Sequence, residues 1–243
     1  MLPMRDSLAS YKTAKPTLFD IPFRLLVIGR SLLSGKSTVI GNLLLRPFDA
    51  TDVDGQEMYR NDFEGKNIYI VNPSLHYDDK FAAIIKAKAI PDSNIFTSYD
   101  EDELTMLYER LAERYEDEKA SGKVTNKLIV LDDCAFDGSL KAHNNGIVAR
   151  MFCNGRHIGL SVIVTAQKYS QVATVARENA SGLILFESSA KQRELISDDH
   201  AIVKKDFDRM YREATKDKHS FLCINYSNPI ESRFMNSNFE PIS

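Results

Sequence analysis

The stretch Phe23-Arg-Leu-Leu-Val-Ile-Gly29-Arg-Ser-Leu-Leu-Ser-Gly35-Lys36-Ser37-Thr38 runs an apolar strand into a loop and then into Gly-Lys-Ser-Thr. Val39, Ile40, Leu43 and Leu44 follow at helical spacing, so the loop opens an amphipathic helix. Strand, loop and helix in that order are the setting of a Walker A phosphate loop. Backbone N–H groups of such a loop and of the helix N-terminus point inward and hold anionic oxygens. Gly29, Ser34, Gly35, Lys36, Ser37 and Thr38 are the candidate nucleotide-binding residues. Gly35 lets the backbone approach phosphate closely. Lys36 would set its ammonium against the β- and γ-phosphates of ATP, and Ser37 would offer its hydroxyl to Mg²⁺. The spacing departs from the usual one: four residues before Gly35-Lys36 would place the first glycine at position 30, where Arg30 stands, and the glycine sits one earlier. Either the loop bulges by one residue or Arg30 takes a conformation that needs no glycine.

Further along, Lys127-Leu-Ile-Val-Leu131-Asp132-Asp133 is a second apolar strand, ending in paired aspartates. Ligands of parallel α/β sheets bind beyond the carboxyl ends of strands. Asp132 therefore falls where a carboxylate would hold Mg²⁺, and Asp133 where one would orient the attacking water. A third strand, Leu160-Ser-Val-Ile-Val-Thr165-Ala-Gln167, is entered through Asn154-Gly-Arg156-His157 and leaves Gln167 at its carboxyl end, in position to sense the γ-phosphate.

The remaining apolar runs give strand candidates at 24–28, 67–71, 94–97, 182–186 and 221–225, and helices at 101–119, 140–153 and 202–216. Most strands are continuous aliphatic runs, the pattern of strands buried on both faces. Alternation of strands and helices argues for an α/β domain with a central, mainly parallel sheet flanked by helices. An extra strand between the phosphate-loop strand and the Asp132 strand is expected for motor-type ATPases. Residues 1–20 read as an arm, 21–226 as the ATPase domain and 227–243 as a weakly periodic tail.

Composition sets outer limits. The chain has 243 residues, with 34 acidic against 31 basic side chains and a net charge of −3, so it carries no global nucleic-acid signature. With 43% apolar and 27% charged residues it is not a disordered chain. Its apolar runs are far short of a membrane span, and the first ten residues lack the apolar core of a signal peptide. Three cysteines read as reduced thiols, and Cys153 with His157 makes two ligands, too few for a zinc site.

The order of phosphate loop, Asp132-Asp133 strand, Asn-Gly-Arg-His with Ser161-Val-Ile and Ala166-Gln167, then Arg177-Glu-Asn-Ala before Leu183-Ile-Leu-Phe186, resembles the FtsK/HerA superfamily. It most resembles the poxvirus-type genome-packaging ATPases of large DNA viruses and virophages. The resemblance implies a P-loop NTPase of the RecA/ASCE-like type with ATP and Mg²⁺ as cofactors. It implies an ATP-driven translocase of double-stranded DNA that packages a viral genome into a preformed capsid. Its subunits would form a homo-oligomeric ring, commonly a hexamer, with ATP sites between them. Capsid or portal vertex proteins would be partners, the membrane would not, and the location would be host cytoplasm at viral assembly sites or the virion. Arg156 matches the family's arginine finger, a group suited to the task because guanidinium stays charged and forks onto phosphate oxygens. Arg177 and Arg150 are rival candidates. Lys141, on the loop after Asp133, is a candidate DNA contact, and the basic run from Lys204 to Lys218 reads as a mixed solvated face. Two other readings stand beside this one: a HerA-like or conjugation-type DNA pump, and a nucleotide-binding scaffold with weak hydrolysis.

Overall fold

The computed structural model describes residues 18–30, 35–45, 58–134, 140 and 146–242. Eight strands form one sheet: β1 (Arg24–Ile28), β2 (Ile68–Val71), β3 (Ile95–Phe96), β4 (Lys127–Leu131), β5 (Leu160–Ala166), β6 (Gly182–Leu185), β7 (Leu222–Asn225) and β8 (Phe234–Met235). Their spatial order is β3-β2-β4-β5-β1-β6-β7-β8. The first six run parallel, while β7 and β8 add an antiparallel edge. All seven strands expected from the sequence are present. The α/β class, with a mainly parallel sheet flanked by helices, holds.

Helices cover both faces, because strand residues alternate sides. Leu26 and Ile28 of β1 join one core with α3 (Glu101–Ala120), α4 (Ile147–Asn154), α5 (Thr174–Glu178), α6 (Ala190–Asp199) and α7 (Lys204–Ala214). Leu25 and Val27 join the other, with α1 (Lys36–Leu45), α2 (Asp79–Lys88) and the aromatic group Phe19, Phe23, Tyr59 and Phe63. This double burial is why the central strands show no alternation in sequence.

The strand lying between β1 and β4 is β5, which follows the Asp132 strand in sequence, while β2 sits on the outer side of β4. The segment read as a tail instead belongs to the sheet. After the short helix α8 (Ile230–Arg233), β8 pairs with β7, Ile242 N–H donates to the Phe234 carbonyl and Phe239 is buried. A two-residue strand is too short to leave a periodic signal, which is why the sequence hid it. The arm 1–20 is described only from residue 18. There Leu18 and Phe19 are buried, and their carbonyls accept hydrogen bonds from Asn225 Nδ2 and the Tyr59 hydroxyl.

One buried ion pair ties α3 to the sheet. Lys127, whose side chain is fully buried at the start of β4, donates to Glu118 Oε2 at 2.7 Å and lies 5.5 Å from the centre of the Tyr115 ring. Burial alone would raise the Glu118 carboxyl, but the bonds from Lys127 and Thr125 overcome it and bring it down to about 2. A depressed acid adds stability that is fully present above its unfolded value of about 4.3 and is lost as pH falls toward the folded one. Glu118→Gln is expected to lower the unfolding free energy in urea by about 2–3 kcal/mol at pH 7, because it leaves an ammonium buried against a neutral amide. The gap from wild type should close as pH falls from about 5 to about 2, where the wild-type carboxyl is itself protonated. A gap independent of pH would remove the ion pair as its cause.

Among the described residues, no helix is long and apolar enough to cross a membrane, and no group of three or more His, Cys, Asp or Glu side chains could by itself hold a metal. The three cysteines are free.

Candidate nucleotide site

At the carboxyl ends of β1, β2 and β4 a cavity of about 180 Å³ is lined by Gly35, Lys36, Ser37, Ser74, Asp78, Lys80, Asp132 and Asp133. The sheet order makes this convergence: residues from the phosphate loop and from the Asp132 strand flank the end of β5. Gly35 has φ +76°, a left-handed conformation in which a side chain would be strained, and its carbonyl takes the Val39 N–H at the start of α1. Lys36 Nζ donates to the Gly29 carbonyl at 2.8 Å, which turns its ammonium back along the loop. Burial lowers the Lys36 pKa, and the charges of Asp132 and Asp133 oppose that fall.

Gly29 itself extends the β1 ladder, its N–H donating to the Ala166 carbonyl at 3.0 Å. Arg30 is exposed and is not among the described residues with left-handed backbone, so it needs no glycine there. Ser34 lies outside the described residues, as does Lys141. Thr38 is exposed, and its hydroxyl oxygen accepts from Lys80 Nζ at 2.6 Å.

Asp132 is 5% exposed, and both of its carboxylate oxygens are engaged. Thr165 Oγ1 donates to Oδ1 at 2.7 Å and Asn72 Nδ2 donates to Oδ2 at 3.2 Å. Its pKa is pushed up to about 6, first by burial and further by Asp78 and Asp133, with Thr165 and Lys36 opposing the rise. The group thus remains ionised at neutral pH, and a cation beside it would favour that form further.

Asp133 has φ +54°. Asp and Asn tolerate this left-handed region better than longer acids do, which accounts for an aspartate here in physical terms. Its N–H donates to Thr165 Oγ1 at 3.2 Å, and its Oδ2 accepts from Ser74 Oγ at 2.8 Å.

Gln167 follows β5 directly and is exposed, at the carboxyl edge between the ends of β1 and β4. Arg156 is not brought to this cavity. It sits on the 3-10 turn Gly155–Ile158 before β5, at the opposite end of a strand that spans about 20 Å. It is exposed, with His157 Nε2 at 3.4 Å and no carboxylate at ion-pair distance among the described residues. The rival arginines are engaged within the chain. Arg177 is buried, 3.2 Å from Asp199 and over the Tyr169 ring, while Arg150 lies over Tyr108 and 3.4 Å from Glu109. Lys204 and Asp208 of α7 pair with Glu194 and Arg193 of α6.

Sequence reasoning missed Asn72, Ser74, Asp78 and Thr165. Val71-Asn72-Pro-Ser74 is an apolar strand turning polar at its carboxyl end, the same signature that marked Asp132, and it could have been found. Asp78 carried only a helix N-cap signal ahead of Phe81 and Ile84.

The profile of the poxvirus A32 protein family matches residues 11–228. The chain belongs to the poxvirus A32 family. Membership and fold together make this A32-family chain a P-loop ATPase. Among solved structures, it is similar to the genome-packaging NTPase B204 of Sulfolobus turreted icosahedral virus 2 in complex with ATP-gammaS, at 14% identity, TM-score 0.53, and coverage of 84% of this chain and 92% of that one. B204 of Sulfolobus turreted icosahedral virus, a DNA-packaging ATPase, gives 15% identity, TM-score 0.54, and coverage of 85% and 93%. ATPases 2 and 3 of EssC from Geobacillus thermodenitrificans give 13% and 0.53, with 72% of this chain against 34% of that one. At these identities the likeness is one of fold. A search of curated proteins returns no match.

The side chains fit Mg²⁺ with nucleotide in one respect that the cavity shows directly: the Ser37 hydroxyl and the carboxylates of Asp132 and Asp133 are hard oxygen donors beside the phosphate-loop lysine. Mg²⁺ seldom takes an all-protein cage and draws its other ligands from water and phosphate.

Proposed function

We propose that the chain is a genome-packaging motor: an ATPase that translocates double-stranded DNA into a preformed capsid, working as a homo-oligomeric ring with ATP sites between subunits. The observation that carries this reading is the cavity uniting Lys36 and Ser37 with Asp132 and Asp133 at the carboxyl edge of an A32-family sheet. In this reading Lys36 neutralises charge developing on the γ-phosphate. Ser37 and Asp132 would hold Mg²⁺, which would supply positive charge to offset that of the phosphates. Asp133, fixed by Ser74, orients the attacking water. Gln167 stands at the edge where γ-phosphate occupancy would be read. Arg156 cannot reach the cavity of its own chain, so a neighbour's cavity is its target. Capsid or portal proteins would receive the ring at viral assembly sites in the host cytoplasm.

The test is steady-state ATP hydrolysis with and without long double-stranded DNA. DNA should raise turnover severalfold, and short duplexes should raise it less. Hydrolysis indifferent to DNA would count against translocation. Tight ATP binding without turnover under either condition would favour the scaffold reading.

A further inference from the structure

The carboxylate that touches the phosphate-loop serine is not Asp132. Ser37 Oγ donates to Asp78 Oδ2 at 3.1 Å, whereas the Asp132 oxygens are occupied by Thr165 and Asn72. A hydroxyl has one proton and two lone pairs. When the proton goes to Asp78, the lone pairs face away from it. Asp78 is itself fixed from the other side. Its Oδ1 accepts the N–H groups of Lys80 and Phe81 at 3.0 and 3.2 Å and so caps α2. Helix α2 packs against α1, and a second tie, Lys80 Nζ to Thr38 Oγ1, joins the same first turns. One carboxylate thus spans a helix cap and the serine hydroxyl, 41 residues apart in sequence.

We propose that Asp78 is a positioning residue for Mg²⁺-nucleotide: by taking the Ser37 proton, it aims the Ser37 lone pairs at the metal. This rests on the reading of Ser37 as a Mg²⁺ ligand. Groups that orient a metal ligand from behind change metal affinity by about 10–100-fold when removed.

Asp78→Asn separates the two duties of the residue. Asparagine is among the best N-caps, so α2 keeps its cap. Its amide then presents an N–H to Ser37, which reverses the hydrogen bond and turns a lone pair away from the cavity. Binding of a fluorescent ATP analogue is titrated with Mg²⁺, and separately in chelator. The Mg²⁺ concentration at half-saturation should rise by about 10–100-fold in Asp78→Asn, while metal-free nucleotide affinity should not fall, since the change removes a negative charge beside the phosphates. Asp78→Ser, a second capping residue whose single hydroxyl cannot serve both partners, should behave alike. In a Ser37→Ala background, Asp78→Asn should add nothing, since the two act as one unit.

A Mg²⁺ titration of Asp78→Asn matching wild type would overturn the proposal while leaving the nucleotide site intact. Effects of Ser37→Ala and Asp78→Asn that simply add would overturn it too. Wild-type binding indifferent to Mg²⁺ would instead remove the reading of Ser37, and the proposal with it.

Discussion

Arg156→Ala is expected to lower ATP turnover in the assembled protein by about 10³-fold or more, the range associated with arginine fingers, while nucleotide binding to each subunit is little changed. The geometry gives the reason for that split. Arg156 is exposed at the amino-terminal end of β5, whereas Lys36, Asp132 and Asp133 meet at the carboxyl edge. No rotamer of a single side chain covers that separation. Within one chain Arg156 stands away from the nucleotide cavity, and in the proposed ring its effect would arise between chains. Mixing Arg156→Ala subunits with Lys36→Ala subunits supplies the decisive readout. Each variant alone lacks one half of every site, but a mixed assembly contains interfaces where an intact Lys36 meets a neighbour's intact Arg156. Partial recovery of hydrolysis on mixing is the expected result. A mixture as inactive as its components would assign Arg156 a structural duty beside Arg24, whose pKa is lowered by burial and by the charge of Arg156.

Lys36→Ala should reduce DNA-stimulated hydrolysis on the order of 10³-fold, through the loss of a fixed positive charge where negative charge develops. Lys36→Arg should not restore it. The guanidinium fork is wider than an ammonium and does not reproduce the point charge that Lys36 sets against the Gly29 carbonyl. Steady-state hydrolysis against ATP concentration, with saturating DNA, measures both. Turnover by Lys36→Ala comparable to wild type would mean that the cavity is not where ATP is cleaved.

What the sequence disclosed, and what it concealed, divides along locality. Strands such as β4 and β5 are buried on both faces, so their aliphatic runs stand out from the amphipathic helices between them. The phosphate loop and the paired aspartates were legible because each lies in one short segment at a strand end. The partners of Asp132 were not, because Thr165 and Asn72 come from two other strands and meet it only once the sheet order is known. Asp78 was the least legible, since nothing local marks a helix cap as the neighbour of a serine on another helix. The last strand, Phe234–Met235, escapes through brevity, although it lies within 227–243, the stretch whose weak periodicity reads as a tail.

A machine that does work needs a frame as well as a moving part, and the bonds of Asp132 identify the frame. By taking hydrogens from Thr165 on β5 and Asn72 beyond β2, this one carboxylate laces three adjacent strand ends into a plate. In the proposed motor such a plate would be the fixed side against which force is developed. In that motor, displacement would travel through what bears on the nucleotide without being laced to the plate, and the first turn of α2, tied to α1 through Ser37 and Thr38, stands in that place.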